Sequence, residues 1–337
     1  MKILVTGSAG FIGSHLVDEL TKLGHDVYGI DNMIGGDEYN IIDKNKHFYA
    51  DTSDLAKMRE IIEEVKPEII YHLACTAHEG LSVFSPHTIT HNTFDNTVAI
   101  LSAAISGKVK RFIYASSMSR YGKLPTPFTE DMTPSPEDPY AVAKVASEQV
   151  IKQMSETHGI EYVIAIPHNV IGVKQNYMDP YRNVVSIFIN RNLQGKPAII
   201  YGDGNQQRSF SYIDDCMHSF VRMMDCESGG VYNVGPDALD GSVYTINEVA
   251  AMVADVVGFT GDAIHVPDRP REVKVAHSSS EKIRKEFGYE TKTSLREAIE
   301  KMVDDIKKRG TQPFNYDLYE LEIHTDKTPR TWADRLI

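Results

Sequence analysis

Two residues able to do acid–base chemistry stand four apart in Tyr140-Ala141-Val142-Ala143-Lys144. On a helix that spacing puts both side chains on one face. A free phenol, with a pKa of about 10, is a poor base at neutral pH. An ammonium beside it favours the phenolate and makes it a usable one. Such pairs are common surface decoration on helices, so the meaning comes from position. The pair follows a strand-like run, Arg111 to Ala115, and the polar stretch Ser116-Ser117-Met118-Ser119-Arg120-Tyr121-Gly122. A serine at that strand end can share a proton with a substrate hydroxyl and with Tyr140.

A second constellation opens the chain. Gly7-Ser8-Ala9-Gly10-Phe11-Ile12-Gly13 lies between a β-branched run, Lys2 to Thr6, and a segment with helical spacing, Phe11 to Leu23. A pyrophosphate needs backbone N–H groups at a helix N-terminus and no side chain in its way. Gly7 serves the tight turn, Gly10 the approach of the phosphates, and Gly13 the packing of helix on strand. The next run, Asp26 to Ile30, ends at Asp31. A carboxylate there accepts hydrogen bonds from the adenosine ribose and repels a 2′-phosphate, which favours NAD over NADP. Strand, glycines, helix and acid coincide, which the glycines alone would not establish.

The elements that must position these residues follow from periodicity. Ile12, Leu16 and Leu20 share a helix face that Gly24 ends. Leu55 to Val65 reads as a helix, Ile69 to Leu73 as a strand, Thr90 to Ser106 as a helix, Tyr140 to Thr157 as a helix and Tyr162 to Ile166 as a strand. This alternation predicts an α/β, doubly wound parallel sheet in a first domain of about residues 1–165. A smaller mixed α/β domain is expected over 166–310, with helices at Val184 to Gln194, Ile246 to Val257 and Leu295 to Lys308. Asp214 to Met224 and Val231 to Val234, within a segment of about 210–235, are expected to return to the first domain. The tail, 311–337, is proline-dotted, holds the only tryptophan, Trp332, and suggests no mechanism.

Composition narrows the partners. The formal net charge of -12 repels nucleic acid and anionic membrane, so an anionic substrate would need local arginines. Cys75, Cys216 and Cys226 are few, odd in number and without metal spacing, as suits a reducing cytoplasm. No apolar run has membrane-span length. His72, His78, His87 and His91 cluster without any metal-site spacing, so no metal is expected. There is no G-x-S-x-G elbow to support a hydrolase.

In sum these motifs resemble the extended short-chain dehydrogenases/reductases, the NAD-dependent nucleotide-sugar epimerases and dehydratases, and within them the UDP-glucose 4-epimerase group. The residues carrying the resemblance begin with the Gly7–Gly13 turn, which is spaced G-x-x-G-x-x-G, Tyr28-Gly29-Ile30-Asp31-Asn32 and His72-Leu73-Ala74. Ala115 to Gly122, Asp138 to Lys144 and Pro167-His168-Asn169-Val170-Ile171-Gly172 follow, then Gly202 to Asp215 and Tyr232-Asn233-Val234-Gly235. They run in family order over roughly residues 1 to 290.

The resemblance implies a Rossmann-type fold and roles for individual residues. Ser117, Tyr140 and Lys144 would be catalytic. NAD would lie on Gly7, Gly10, Phe11, Ile12, Gly13, Asp31, Asn32, Asp51, Thr52, Leu73, Ala74 and Asn92, with Tyr140 and Lys144 at its nicotinamide end. Asn169, Arg208 and Arg269 would hold the sugar nucleotide's diphosphate, a UDP-sugar being favoured. Ser117, Met118 and His78 would border the sugar. The implied reaction is epimerisation at carbon 4 through a transient 4-keto sugar. A net 4-oxidoreductase on the same fold and a catalytically silent NAD-binding regulator are the alternatives. A homodimer built from the helices near 90–106 and 140–157 is implied as well.

Two departures stand out. Family dehydratases carry threonine–aspartate–glutamate at the strand end, where this chain has Ser117-Met118-Ser119. Met and Ser cannot supply that acid–base pair, which argues against dehydration; decarboxylases also tend to carry a Glu near this point. Ile166 and Ile171 replace the usual Arg and Tyr, which bears on the local pocket wall.

Overall fold

The computed structural model describes residues 1–337. A seven-stranded sheet lies at its centre, and every neighbouring pair in it runs parallel. Its strands are β1 (Lys2–Thr6), β2 (Asp26–Asp31), β3 (His47–Tyr49), β4 (Ile69–His72), β5 (Arg111–Ala115), β6 (Glu161–Pro167) and Gly230–Val234. Across the sheet the order is Gly230–Val234, β6, β5, β4, β1, β2, β3. The chain therefore winds one way from β1 through β2 and β3, then the other way from β4. A crevice opens where the two directions part, at the C-terminal ends of β1 and β4, as doubly wound sheets require.

Parallel strands need crossovers, and helices supply them. The helices here are α1 (Phe11–Lys22), α2 (Leu55–Val65), the short α3 (Glu79–Ser82) and α4 (Pro86–Thr90), α5 (Asn96–Ser106) and α6 (Pro139–His158). Covered on both faces, the strands are continuously apolar. Ile3 and Val5 point into a cluster of 41 buried residues, whereas Leu4 joins a second cluster of 16 with Ile70 and Phe112. The same 41-residue cluster reaches Phe188, Val249 and Met302, so sheet and later helices share one core.

The helix expected over Thr90 to Ser106 differs in the structure. Its first part is α4, and His91–Asp95 forms a wider π turn before α5 begins. The extra residue in that turn brings Asn92 and Asn96 to the crevice, where the Asn96 amide donates to the Ala74 carbonyl at 3.0 Å. α6 starts where the sequence says it should. The Asp138 carboxylate accepts from the Ala141 N–H at 2.8 Å, Pro139 occupies the first turn, and Gly159 (φ +78) ends the helix left-handed.

Beyond β6 the elements are short. Gln207–Ser209 pairs with Val243–Thr245 on one side and Val275–Ala276 on the other. Ile199–Tyr201 pairs with Ile264–Val266, and Val184–Leu193, Ile246–Val257 and Leu295–Arg309 are the larger helices. The tail 311–337 packs back across the molecule. Its Ile323 N–H donates to the Phe84 carbonyl at 2.9 Å, and Ser85 Oγ donates to the Glu320 carbonyl at 2.6 Å. The Glu322 carboxylate caps α4, accepting from the N–H groups of His87 and Thr88 at 2.9 and 2.8 Å. No helix is long and apolar enough to cross a membrane.

Candidate active site

The turn after β1 needs its glycines for steric reasons. Gly7 has φ +70, and a Cβ on it would stand 2.9 Å from the Ala74 N. A Cβ on Gly13 would stand 2.0 Å from the Gly7 carbonyl oxygen, which no side chain tolerates. Gly10 precedes α1 with no side-chain cap, so the first N–H groups of the helix face the crevice unpartnered by a side chain. That is a cradle for a dinucleotide pyrophosphate.

The ends of β1 and β4 are held together behind it. Thr6 Oγ1 lies 2.7 Å from His72 Nδ1 and accepts from the N–H groups of Leu73 and Ala74, each at 3.2 Å. Burial lowers the His72 pKa to about 3, so this imidazole is a neutral structural strut. Asp31 is fixed by two backbone donors, Ala9 N at 3.0 Å and Met33 N at 2.8 Å. Asn32 donates to Asp51 Oδ2 at 2.9 Å, and Ser53 donates to Asp51 Oδ1. Burial alone would raise the Asp51 carboxyl, but these donors hold it below its usual range.

On α6, Tyr140, Lys144 and Glu148 repeat every four residues and form one stripe facing β5. Lys144 is buried, donates to the Ala115 carbonyl at 2.6 Å, and lies 5.7 Å from the centre of the Tyr140 ring. Burial would lower its pKa, but the field of Cys75, Tyr114 and Tyr140 outweighs that and raises it, so it stays an ammonium. Burial pushes the Tyr140 phenol well above its ordinary value, and the Lys144 charge pulls it back. Glu148 anchors the loop opposite: Ser116 Oγ donates to it at 2.5 Å, and Arg120 pairs with it at 3.1 Å, all three buried. Ser117, between them, lines the same cleft as Tyr140 and Lys144. Its Oγ accepts from Ser119 N at 3.2 Å and Ser119 Oγ at 3.0 Å, which leaves its own proton free to donate.

Farther out, Arg208 and Arg269 share one acid. Arg208 reaches Glu272 Oε1 at 3.4 Å, and Arg269 reaches Glu272 Oε2 at 2.8 Å while lying 4.6 Å over the Tyr201 ring. Two guanidiniums on one carboxylate leave surplus positive charge for an anion; Arg208 also donates to the Gln207 and Val273 carbonyls, whereas Nη1 of Arg269 carries no bond. Asn169 donates to the Ser209 carbonyl at 2.9 Å, tying the end of β6 to the Arg208 strand.

All the residues singled out from sequence line one continuous cleft, from Gly7 through Ser117, Met118, Tyr140 and Lys144 to Asn169, Arg208 and Arg269. His78 is among them, but it is not a free pocket histidine. Its Nε2 lies 2.6 Å from Asp179 Oδ2, both side chains are buried, and its ring stands 4.6 Å from that of Tyr319. Ile166 and Ile171 are not part of the cleft wall; both are buried in the core. Sequence reading missed Asp179, Arg182 and Glu272, and it missed the tail residues Tyr319 and Trp332, all of which line the cleft. Glu79 lines it too, although the sequence marked only its neighbour His78. The tail is thus a wall of the site. Tyr319 and Trp332 share a buried cluster with Tyr140 itself.

Comparison with known proteins agrees with this geometry. The NAD dependent epimerase/dehydratase family matches residues 3–235. A UDP-glucose 4-epimerase of Mycolicibacterium smegmatis is 33% identical over 320 residues, covering 92% of this chain and 100% of that protein. A UDP-N-acetyl-alpha-D-glucosaminuronate decarboxylase of Bacillus cytotoxicus is 30% identical over 287 residues, covering 79% of this chain and 83% of that protein. The crystal structure of UDP-glucose 4-epimerase with UDP-glucose from Thermotoga maritima superposes with a TM-score of 0.87 at 30% identity, covering 92% of this chain and 99% of that one.

Proposed function

The chain belongs to the NAD-dependent epimerase/dehydratase family, and from that premise we propose that it inverts carbon 4 of a nucleotide-diphosphate sugar of the UDP-glucose/UDP-galactose type. The observation that carries the reading is the stripe on α6: a phenol and a buried ammonium on one helix face, opposite a serine whose proton is free. The dinucleotide, when bound, supplies a reversible two-electron acceptor for carbon 4. Tyr140 takes the proton of the 4-hydroxyl, with Lys144 favouring the phenolate and Ser117 donating to the sugar oxygen. Lys144 also has the reach and the charge to bind the nicotinamide ribose. Asp31 favours NAD over NADP, and Asp51, Thr52, Leu73, Ala74 and Asn92 complete the cofactor's walls.

Arg208, Arg269 and Asn169 hold the diphosphate while the 4-keto sugar turns over within the cleft. Tyr140 then returns its proton on the other face. Absence of an acid at Met118 and Ser119 favours this course over dehydration. A homodimer through the outer faces of α5 and α6 belongs to the same proposal; Val142 of α6 is a large apolar side chain left 52% exposed. The test is incubation with UDP-glucose. UDP-galactose should form with no net change in the absorbance of reduced nicotinamide. Accumulation of free reduced cofactor would instead favour a net oxidoreductase.

A further inference from the structure

The loop leaving β4 delivers an acid that the hydride chemistry does not use. Glu79 begins α3, lines the cleft and is solvent-exposed. No hydrogen bond or ion pair engages its carboxylate; the nearby guanidiniums of Arg208 and Arg269 are bonded to Glu272 instead. Five charged groups act on it: Asp138 from the cap of α6, Arg208 from Gln207–Ser209, Arg269 and Glu272 from the loop before Val275, and Arg182 from the loop before Val184–Leu193. Desolvation within the cleft, helped by the Asp138 carboxylate, pushes the Glu79 carboxyl up to about 7 against the pull of Arg208. An acid so placed can both take and give a proton near neutrality.

Its position relative to the chemistry follows from what it is fastened to. Ser82 Oγ, on the same helical turn, lies 3.3 Å from Asp138 Oδ1, and Asp138 caps the helix that carries Tyr140. Glu79 and Tyr140 lie within each other's electrostatic field. On the other flank, a Cβ on Gly80 would stand 3.3 Å from Trp332 Cη2 and 3.5 Å from Arg269 Nη1. Glu79 therefore sits between the tyrosine that would face O4 and an arginine that would grip the diphosphate. A hexose with O4 at Tyr140 and its diphosphate at Arg269 would span that gap.

Oxidation at carbon 4 makes the C–H bonds at carbons 3 and 5 acidic, because the resulting carbanion delocalises onto the ketone oxygen. We propose that Glu79 transfers the proton of a carbon adjacent to the C4 ketone. The carboxylate takes H⁺ from C3 or C5, and the electron pair of the broken C–H bond forms the double bond to C4. The negative charge rests on O4, against Tyr140 and Ser117. Return of H⁺ from Glu79 reverses the step, and nothing is oxidised or reduced within it. This chemistry begins inversion at, or elimination from, those carbons, so the site reaches beyond C4. The inference rests on the C4-oxidation reading only for the origin of the ketone.

The experiment supplies the ketone directly. Protein as purified is mixed in D₂O with a UDP-4-keto-6-deoxyhexose, and deuterium at C3 and C5 is followed by NMR and mass spectrometry. Exchange is expected at least about 100-fold above the protein-free rate, rising with pH through about 7. Glu79→Gln should cut it about 100-fold and remove that pH dependence, and Glu79→Asp should restore part of it. Wild-type protein exchanging no faster than buffer overturns the proposal, as does a folded Glu79→Gln that keeps the wild-type rate. Exchange by a protein that leaves UDP-glucose untouched would sink the epimerase reading and spare this one.

Discussion

Replacing Lys144 by Met tests whether the ammonium sets the protonation of Tyr140. The charge lies 5.7 Å from the phenol ring. At an effective dielectric of about 20, that separation is worth about 3 kcal/mol, or about 2 pKa units. The sign is fixed: a cation stabilises the phenolate and holds the phenol's pKa down, so its removal leaves burial, already pushing upward, opposed only by the weaker pull of Arg182. Lys144→Met should turn over about 100-fold more slowly at pH 7. Its rise in kcat with pH should be displaced about 2 units to the alkaline side. Melting temperature checks that losing the bond to the Ala115 carbonyl has not unfolded β5 or α6. The assay is kcat on UDP-glucose between about pH 6 and 10. A loss of less than about tenfold at pH 7 would refute the electrostatic role.

Gly13→Ala should purify without dinucleotide and lose about 1–3 kcal/mol of stability, because its Cβ would meet the Gly7 carbonyl oxygen at 2.0 Å; retention of bound NAD would contradict the cradle. Asp31→Asn removes the charge that opposes a 2′-phosphate, so the NAD-to-NADP preference measured by calorimetry should fall about tenfold or more; an unchanged ratio places the discrimination elsewhere. Trp332→Ala should cost about 3–5 kcal/mol locally and raise the KM for the sugar nucleotide, since this buried ring is both core and cleft wall; a wild-type KM would remove the tail from the site. Burial lowers His72 to about 3 and His168 to about 4. The unfolded chain thus takes up protons that the fold refuses. Stability should be full above about pH 6.5 and fall by about 1.4 kcal/mol per pH unit for each imidazole below it, down to those values. Urea melts at pH 7.5 and 5.5 measure this, and identical midpoints would show that neither ring is held neutral.

What was legible in the sequence was local. β1, its glycine turn and α1 could be read because Gly7 takes a left-handed φ and Gly13 leaves no room for a Cβ. α6 could be read because Asp138, Pro139 and Gly159 mark its ends chemically. The Tyr140–Lys144 stripe then followed from helical spacing. The π turn at His91–Asp95 left no mark, because neither Gly nor Pro interrupts the helical pattern there. β3 has only three residues, too few to show alternation. Asp179 and His78 meet across 101 positions, and Asp179 lies in a coil without periodicity, so nothing near either residue announces the pair. The tail had no derivable purpose for the same reason. Tyr319 and Trp332 matter through what they touch, and those contacts are set by tertiary packing.

The strand-end motif deserves less authority over reaction type than sequence reading gave it. Ser117-Met118-Ser119 lacks an acid, and from that absence dehydration chemistry was set aside. The argument holds for side chains carried by the end of β5. It does not hold for the cleft, because a carboxyl can enter from any element that borders the sugar. Glu79 does so from the loop after β4, exposed in the cleft and unpaired, next to the helix that carries Tyr140. The two sites differ in what they bind behind the acid. An acid at the end of β5 would rest on the sheet, whereas Glu79 rests on α3, Asp138 and, through Gly80, on Trp332 of the tail. Loosening the tail should therefore disturb proton transfer at carbons 3 and 5 before it disturbs the Tyr140–Lys144 pair, which is fastened to β5 by the Ala115 carbonyl. Trp332→Ala measured in both assays, exchange into the supplied ketone and turnover of UDP-glucose, separates the two: a larger loss in exchange is expected, and equal losses would mean that the tail supports the cleft as a single block.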